Sequence, residues 1–148
     1  MVIEKALVSD AEEILSLQKS SYISEAEIYN DFNIPPLIQT LEQIKREFDN
    51  HLFLKVLQEG KIIGSVRASV VDGVCTIYKL IVHPDFQNRG IGTSMIKKLE
   101  EMLCGCKRFE IFTGHKSERN IYLYQKLGYK LFKTEKVTDD LNIVYLAK

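Results

Sequence analysis

Leu80–Gly92 reads Leu-Ile-Val-His-Pro-Asp-Phe-Gln-Asn-Arg-Gly-Ile-Gly, and no other stretch narrows the possible folds as much. An apolar strand runs into a turn at Pro84. The chain then passes two glycines, Gly90 and Gly92, and opens an amphipathic segment. Ile91, Met95, Ile96, Leu99, Met102 and Leu103 recur at helical spacing, which predicts a helix over 90–103. A strand that feeds a glycine loop at a helix start gathers unpaired N–H groups at the positive end of the helix dipole. The segment therefore predicts a sheet with a crossover helix and an anion site where they meet.

The rest of the chain supplies that sheet. Ile3–Val8 reads as a first strand. Ser9 and Glu12 read as a capping box for a helix through Ala11, Ile14, Leu15 and Leu17. Tyr22–Asn33 is polar, aromatic and acidic without clean periodicity, and Pro35-Pro36 breaks the chain. Helical spacing resumes over Leu37–Phe48. His51–Gln58, Lys61–Val71 and Val74–Val82 read as antiparallel strands joined by hairpins at Glu59-Gly60 and Asp72-Gly73. Beyond the glycine-loop helix come a strand at Arg108–Thr113, a helix from Ser117 or Asn120 to Gly128, and a hairpin of Tyr129–Lys136 with Leu141–Leu146. A right-handed crossover makes Val74–Val82 and Arg108–Thr113 parallel. The expected architecture is α/β, with a mixed, mostly antiparallel sheet of about six or seven strands flanked by about four helices. The 148 residues predict one domain, 1–148.

Net charge is zero, and the basic residues are spread along the chain, which argues against a nucleic-acid partner. No apolar run is long enough to span or anchor in a membrane, and the N-terminus shows no signal-peptide core. Three cysteines, an odd number, fit a reducing cytoplasm. Cys104-Gly105-Cys106 lacks the further ligands a structural zinc site requires, so no metal is expected.

Three phosphate-binding patterns compete at the loop. No lysine follows a glycine at the P-loop spacing, which excludes that nucleotide site. The dinucleotide fingerprint starts with Gly90 and Gly92 but meets Met95 at its third glycine. The pattern that fits has Gln87, Gly90 and Gly92 following a strand that ends at Val82 and Pro84. It is accompanied later by Asn120, Tyr124, Lys126, Gly128 and Tyr129. This pair of motifs resembles the GNAT superfamily of N-acetyltransferases.

The resemblance implies a parallel strand pair that splays in the middle of the sheet, with the pantetheine arm of acetyl-CoA lying in the gap like an extra strand. It implies that Leu80, Ile81 and Val82 line that arm. Gln87, Asn88, Arg89, Gly90, Ile91, Gly92 and Thr93 would hold the pyrophosphate, and Asn120 would bond the arm. It makes Tyr124 the general acid to the departing thiolate. A free phenol has a pKa near 10 and a thiol near 8.5, so the transfer is only mildly uphill. It also allows a homodimer, for which Val144, Tyr145 and Leu146 are candidates, and a catalytically silent coenzyme A-binding module stands as the alternative.

An alkylammonium near pKa 10.4 is neutral in only about one molecule in 2,500 at pH 7, so a proton acceptor is needed. Many relatives carry a Glu on the strand where this chain has Thr76. Glu25, Glu27, Asp31, Glu110 and a water chain all remain open as the base. The acceptor, a small-molecule or peptide amine, is expected between the first helices and the last hairpin. Tyr22, Glu27 and Asp31 are its candidate binding residues, since aromatic and acidic groups together suit a cation.

Overall fold

The computed structural model describes residues Met1–Lys148. Strands β1 (Val2–Lys5), β2 (Leu52–Gln58), β3 (Lys61–Val71), β4 (Val74–Val82), β5 (Arg108–Gly114), β6 (Lys130–Lys136) and β7 (Asn142–Ala147) form one sheet in the order β1-β2-β3-β4-β5-β7-β6. The β4–β5 pair is parallel and every other pair is antiparallel. Both expected hairpin turns form. Glu59 (φ 51°) and Gly60 (φ 77°), like Asp72 (φ 52°) and Gly73 (φ 78°), sit in the left-handed region that a two-residue turn between twisted strands requires.

The helices are α1 (Ala11–Ser21), α2 (Ile23–Tyr29), α3 (Pro35–Ile38), α4 (Leu41–Glu47), α5 (Ile91–Met102) and α6 (Glu118–Lys126). Helices α5 and α6 cover one face of the sheet. There Met95, Ile96, Leu99 and Tyr124 pack on Leu54, Ile77 and Ile111. Helices α1 and α4 cover part of the other face, where Ile14, Leu17 and Ile44 meet Phe53, Ile62 and Ile81. Burial of such side chains contributes about 1.5–3 kcal/mol each. Strands β1 and β6 are the two edges, and all seven residues of β6 are exposed.

The first half of the chain carries more helical segments than expected. Tyr22–Asn33 contains α2, which turns its buried Ala26 and Tyr29 inward and stops where Asn30 adopts a left-handed φ of 50°. Pro35 and Pro36 open α3 rather than merely breaking the chain, because a helix start lacks a use for the missing N–H. Thr40 then caps α4, its hydroxyl accepting from the Gln43 N–H at 3.2 Å. The Ser9 cap is replaced by Asp10. Its carboxylate accepts from the Leu7 N–H and from the Lys55 ammonium, both at 2.9 Å, so a short 3-10 turn precedes α1. Arg67 of β3, which alternation alone could have sent to solvent, is 1% exposed beneath α1, α3 and α4. Its guanidinium bonds Gln18, Gln39 and Glu47 and lies 4.7 Å from the Phe53 ring centroid.

Candidate active site

Strands β4 and β5 pair only from Val74–Arg108 to Ile77–Ile111. Beyond that point β4 bulges. Its register with β3 shifts between Ser65 and Arg67, and Lys79 adopts a φ of +49°. A bulge turns the strand and increases its local twist. Leu80–Val82 stay paired with β3, through Ile81 to Ser65 and Val82 to Gly64, but have no strand on the β5 side. Meanwhile β5 runs on to Gly114 beside β7. The result is a gap whose β4 wall presents main-chain hydrogen-bonding groups that no neighbouring strand takes up.

This gap opens into a cleft of about 670 Å³. Leu80, Ile81 and Val82 form one wall. Gln87, Asn88 and Gly90–Thr93 form the second, at the N-terminus of α5. Gly90 has a φ of +77°, and a Cβ there would meet nothing within 4 Å, so the space in front of the loop is open. The first N–H groups of α5 are orphaned by helix geometry and face a positive dipole end. The Gln87 amide donates to the Val82 carbonyl at 3.2 Å. Asn120 also lines the cleft, and its amide donates to Thr113 Oγ1 at 3.3 Å. Of the loop residues singled out in the sequence, Arg89 alone lies outside the lining, its guanidinium 5.2 Å from the Phe86 ring centroid.

The third wall comes from Lys116 to Lys126, at and within α6. The fourth comes from Ser21, Tyr22, Ser24, Glu25 and Ile28. Tyr124 does not line this cleft; it is 3% exposed and packs in the core beneath α5 and α6. Its phenol is pushed well above its usual value, chiefly by burial and further by neighbouring Tyr22 and Glu25. Tyr22 is shifted upward for the same leading reason, with Glu25 adding and Arg67 opposing. The two phenols and one carboxylate thus form a cluster.

Tyr22 lines the cleft, whereas Glu27 and Asp31 do not. Both are exposed, Glu27 on α2 and Asp31 just beyond its end, and Asp31 is engaged with the Asn33 N–H at 2.9 Å. Sequence reasoning kept Glu25 only among the open bases, and it is the acidic residue of α2 that faces the cleft. Its Oε2 accepts from the Ser117 hydroxyl at 2.6 Å. The Tyr29 hydroxyl lies 3.2 Å from Ser117 Oγ and accepts from the Lys116 N–H at 2.9 Å. Helical spacing could have found Glu25, because Tyr22, Glu25 and Tyr29 share one face of a helix over 22–29. Glu110 is paired with Arg108 at 2.7 Å and stands opposite Thr76, on the closed half of the β4–β5 pair. No group of three or more His, Cys, Asp or Glu residues is placed to hold a metal ion.

An open glycine loop at a helix start, a strand edge without its partner and a cleft between them suit a long ligand that carries both amides and phosphates. Coenzyme A fits that description. Residues 11–129 match the family model described as Acetyltransferase (GNAT) family. Protein YqkA of Bacillus subtilis is 28% identical over 88% of this chain, and the chain spans 38% of that protein's length. An acetyltransferase of Yersinia enterocolitica is 32% identical over 82% of each chain. The PaiA N-acetyltransferase of Thermoplasma acidophilum, solved with coenzyme A, shares the fold at a TM-score of 0.81, with 19% identity over 98% of each chain. The gap, the loop and these matches together establish that the chain belongs to the GNAT family of acetyltransferases.

Proposed function

We propose that the protein is an acetyl-CoA-dependent N-acetyltransferase that moves the acetyl group to a primary amine by direct attack in a ternary complex. The observation that carries this reading is the gap at Leu80–Val82, which opens beside the glycine loop into a cleft also lined by Glu25 and α6. In it the N–H groups at the start of α5 hold the pyrophosphate, and the free edge of β4 pairs with the pantetheine amides. The thioester then lies beside Tyr124.

The amine nitrogen attacks the thioester carbonyl carbon, and the carbon–sulfur bond breaks. Tyr124 gives its proton to the sulfur. Burial raises the phenol's pKa, so it stays protonated at neutral pH, and transfer to sulfur becomes more uphill than for a free phenol and is driven by the charge that builds on sulfur as the bond breaks. Glu25 draws the ammonium form of the acceptor to the cleft and takes its first proton, which leaves to solvent and frees the lone pair; after the attack Glu25 takes the second proton from nitrogen. Tyr22 beside it offers a ring face to the same cation. A proton passed from Glu25 back to the Tyr124 phenolate restores both groups. Ser117 and Tyr29 hold the Glu25 carboxylate in place.

The test is an amine panel with acetyl-CoA, following free-thiol release and acetylated product by mass spectrometry. Sustained turnover in wild type that Tyr124→Phe reduces about a hundredfold or more supports the reading. Coenzyme A binding without thioester consumption by any amine would overturn it in favour of a ligand-binding module.

A further inference from the structure

We propose that Arg119, rather than Arg89, is the cation that grips the coenzyme's diphosphate. The inference rests on the coenzyme reading above and adds a residue that the loop motif does not contain. Arg119 stands in the first turn of α6, across the cleft from the glycine loop. Its Nη1 donates to Gln87 Oε1 at 2.8 Å and its Nη2 to Asn88 Oδ1 at 2.9 Å. Both partners are neutral amide oxygens on residues that line the cleft. Other arginines of the chain are paired with carboxylates: Arg67 with Glu47, Arg108 with Glu110 and Arg46 with Glu42. Arg119 makes no such pair, and its two-pronged donor face is turned toward the phosphate loop.

A guanidinium held only by neutral acceptors exchanges them readily for phosphate oxygens, where the same fork makes two charge-assisted bonds. Asn88 is aimed by its left-handed φ of 63°, and Gln87 is tied to the Val82 carbonyl, so the two amides hold the fork at the mouth of the cleft. Arg89 spends its charge on the Phe86 ring, outside the lining. The division of labour is therefore between elements. The loop gives its N–H groups, and α6 gives the positive charge.

The experiment measures affinity by calorimetric titration of wild type, Arg119→Gln, Arg119→Lys and Arg89→Gln. The ligands are coenzyme A, its 3′-dephospho form and pantetheine. Arg119 is exposed, so its replacement should not disturb folding, and a melting curve checks this. Arg119→Gln is expected to weaken coenzyme A and the dephospho form by about tenfold or more and to leave pantetheine unchanged. Arg119→Lys should recover part of the loss, and Arg89→Gln should lose clearly less than Arg119→Gln. An equal loss for pantetheine would make Arg119 a structural strap and overturn the proposal. A loss restricted to coenzyme A would assign Arg119 to the 3′-phosphate and overturn the diphosphate assignment. Unchanged coenzyme A affinity in Arg119→Gln overturns the clamp alone, whereas wild type that binds no coenzyme A overturns the coenzyme reading itself.

Discussion

Ser117 donates its hydroxyl proton to Glu25 at 2.6 Å across 92 positions of sequence, and in doing so it joins the start of α6 to α2. Ser117 is 3% exposed, so the donor end of the bond is buried while the carboxylate faces the cleft. A carboxylate held this way keeps one orientation toward the cleft. Glu25→Gln should lower kcat/KM for a cationic amine about 10²-fold or more at neutral pH and leave coenzyme A affinity unchanged. Ser117→Ala should have a smaller effect of the same kind. Steady-state thiol-release kinetics decide, and an unchanged Glu25→Gln would return the proton acceptor to water.

Tyr124, Tyr129 and Tyr22 all have phenols raised above their usual value, with burial the first cause in each. The unfolded chain gives up those protons near pH 10, whereas the folded chain retains them. The folded state therefore binds more protons above that pH, and stability must fall as pH rises. The stabilisation is fully present below about pH 10. Thermal melts should show a decline that starts there and is shallower in Tyr124→Phe. An identical slope in the variant would contradict the assignment.

Gly114 ends β5 where Tyr29 crosses it, and a Cβ there would overlap the Tyr29 hydroxyl. Gly114→Ala should destabilise the protein by about 1–3 kcal/mol in urea titrations, as overpacking does. It should also raise the amine KM more than the acetyl-CoA KM, because Tyr29 supports Ser117 and through it Glu25.

Arg67→Ala leaves Gln18, Gln39 and Glu47 beneath α1 without their common partner. Breaking a buried ion pair of this kind costs about 3–5 kcal/mol. Arg67→Met should recover part of that loss by filling the space against Phe53. Equal stability of Arg67→Ala and wild type in chemical denaturation would show the network to be idle.

The hairpins were legible because Glu59-Gly60 and Asp72-Gly73 carry turn chemistry that needs no tertiary partner. The glycine loop and α5 were legible for a similar reason, since spacing and helix-start signals are local. Helix α2 was not. What holds it is the approach of Tyr29 to Gly114 and of Glu25 to Ser117, and both partners lie more than eighty positions away. The burial of Arg67 was hidden for the same reason. The bulge left no mark either, because its left-handed residue is a lysine rather than a glycine. The bonds that bring Arg119 to Gln87 and Asn88 were not legible, because they span more than thirty positions.

The bulge at Lys79 also changes the parity of β4. Before it, odd-numbered Cys75 and Ile77 point to the α5 side. After it, odd-numbered Ile81 packs with α1 and α4, while even-numbered Leu80 and Val82 take over the α5 side. Straightening the strand with every residue kept would slip its register by one, carrying Ile81 out of its core and driving Val82 toward the opposite layer. The chain thus cannot zip the gap shut by regularising its strand without unpacking both sides of the sheet. The opening is protected by the same side chains that keep the protein folded, so the loss of one entails the loss of the other.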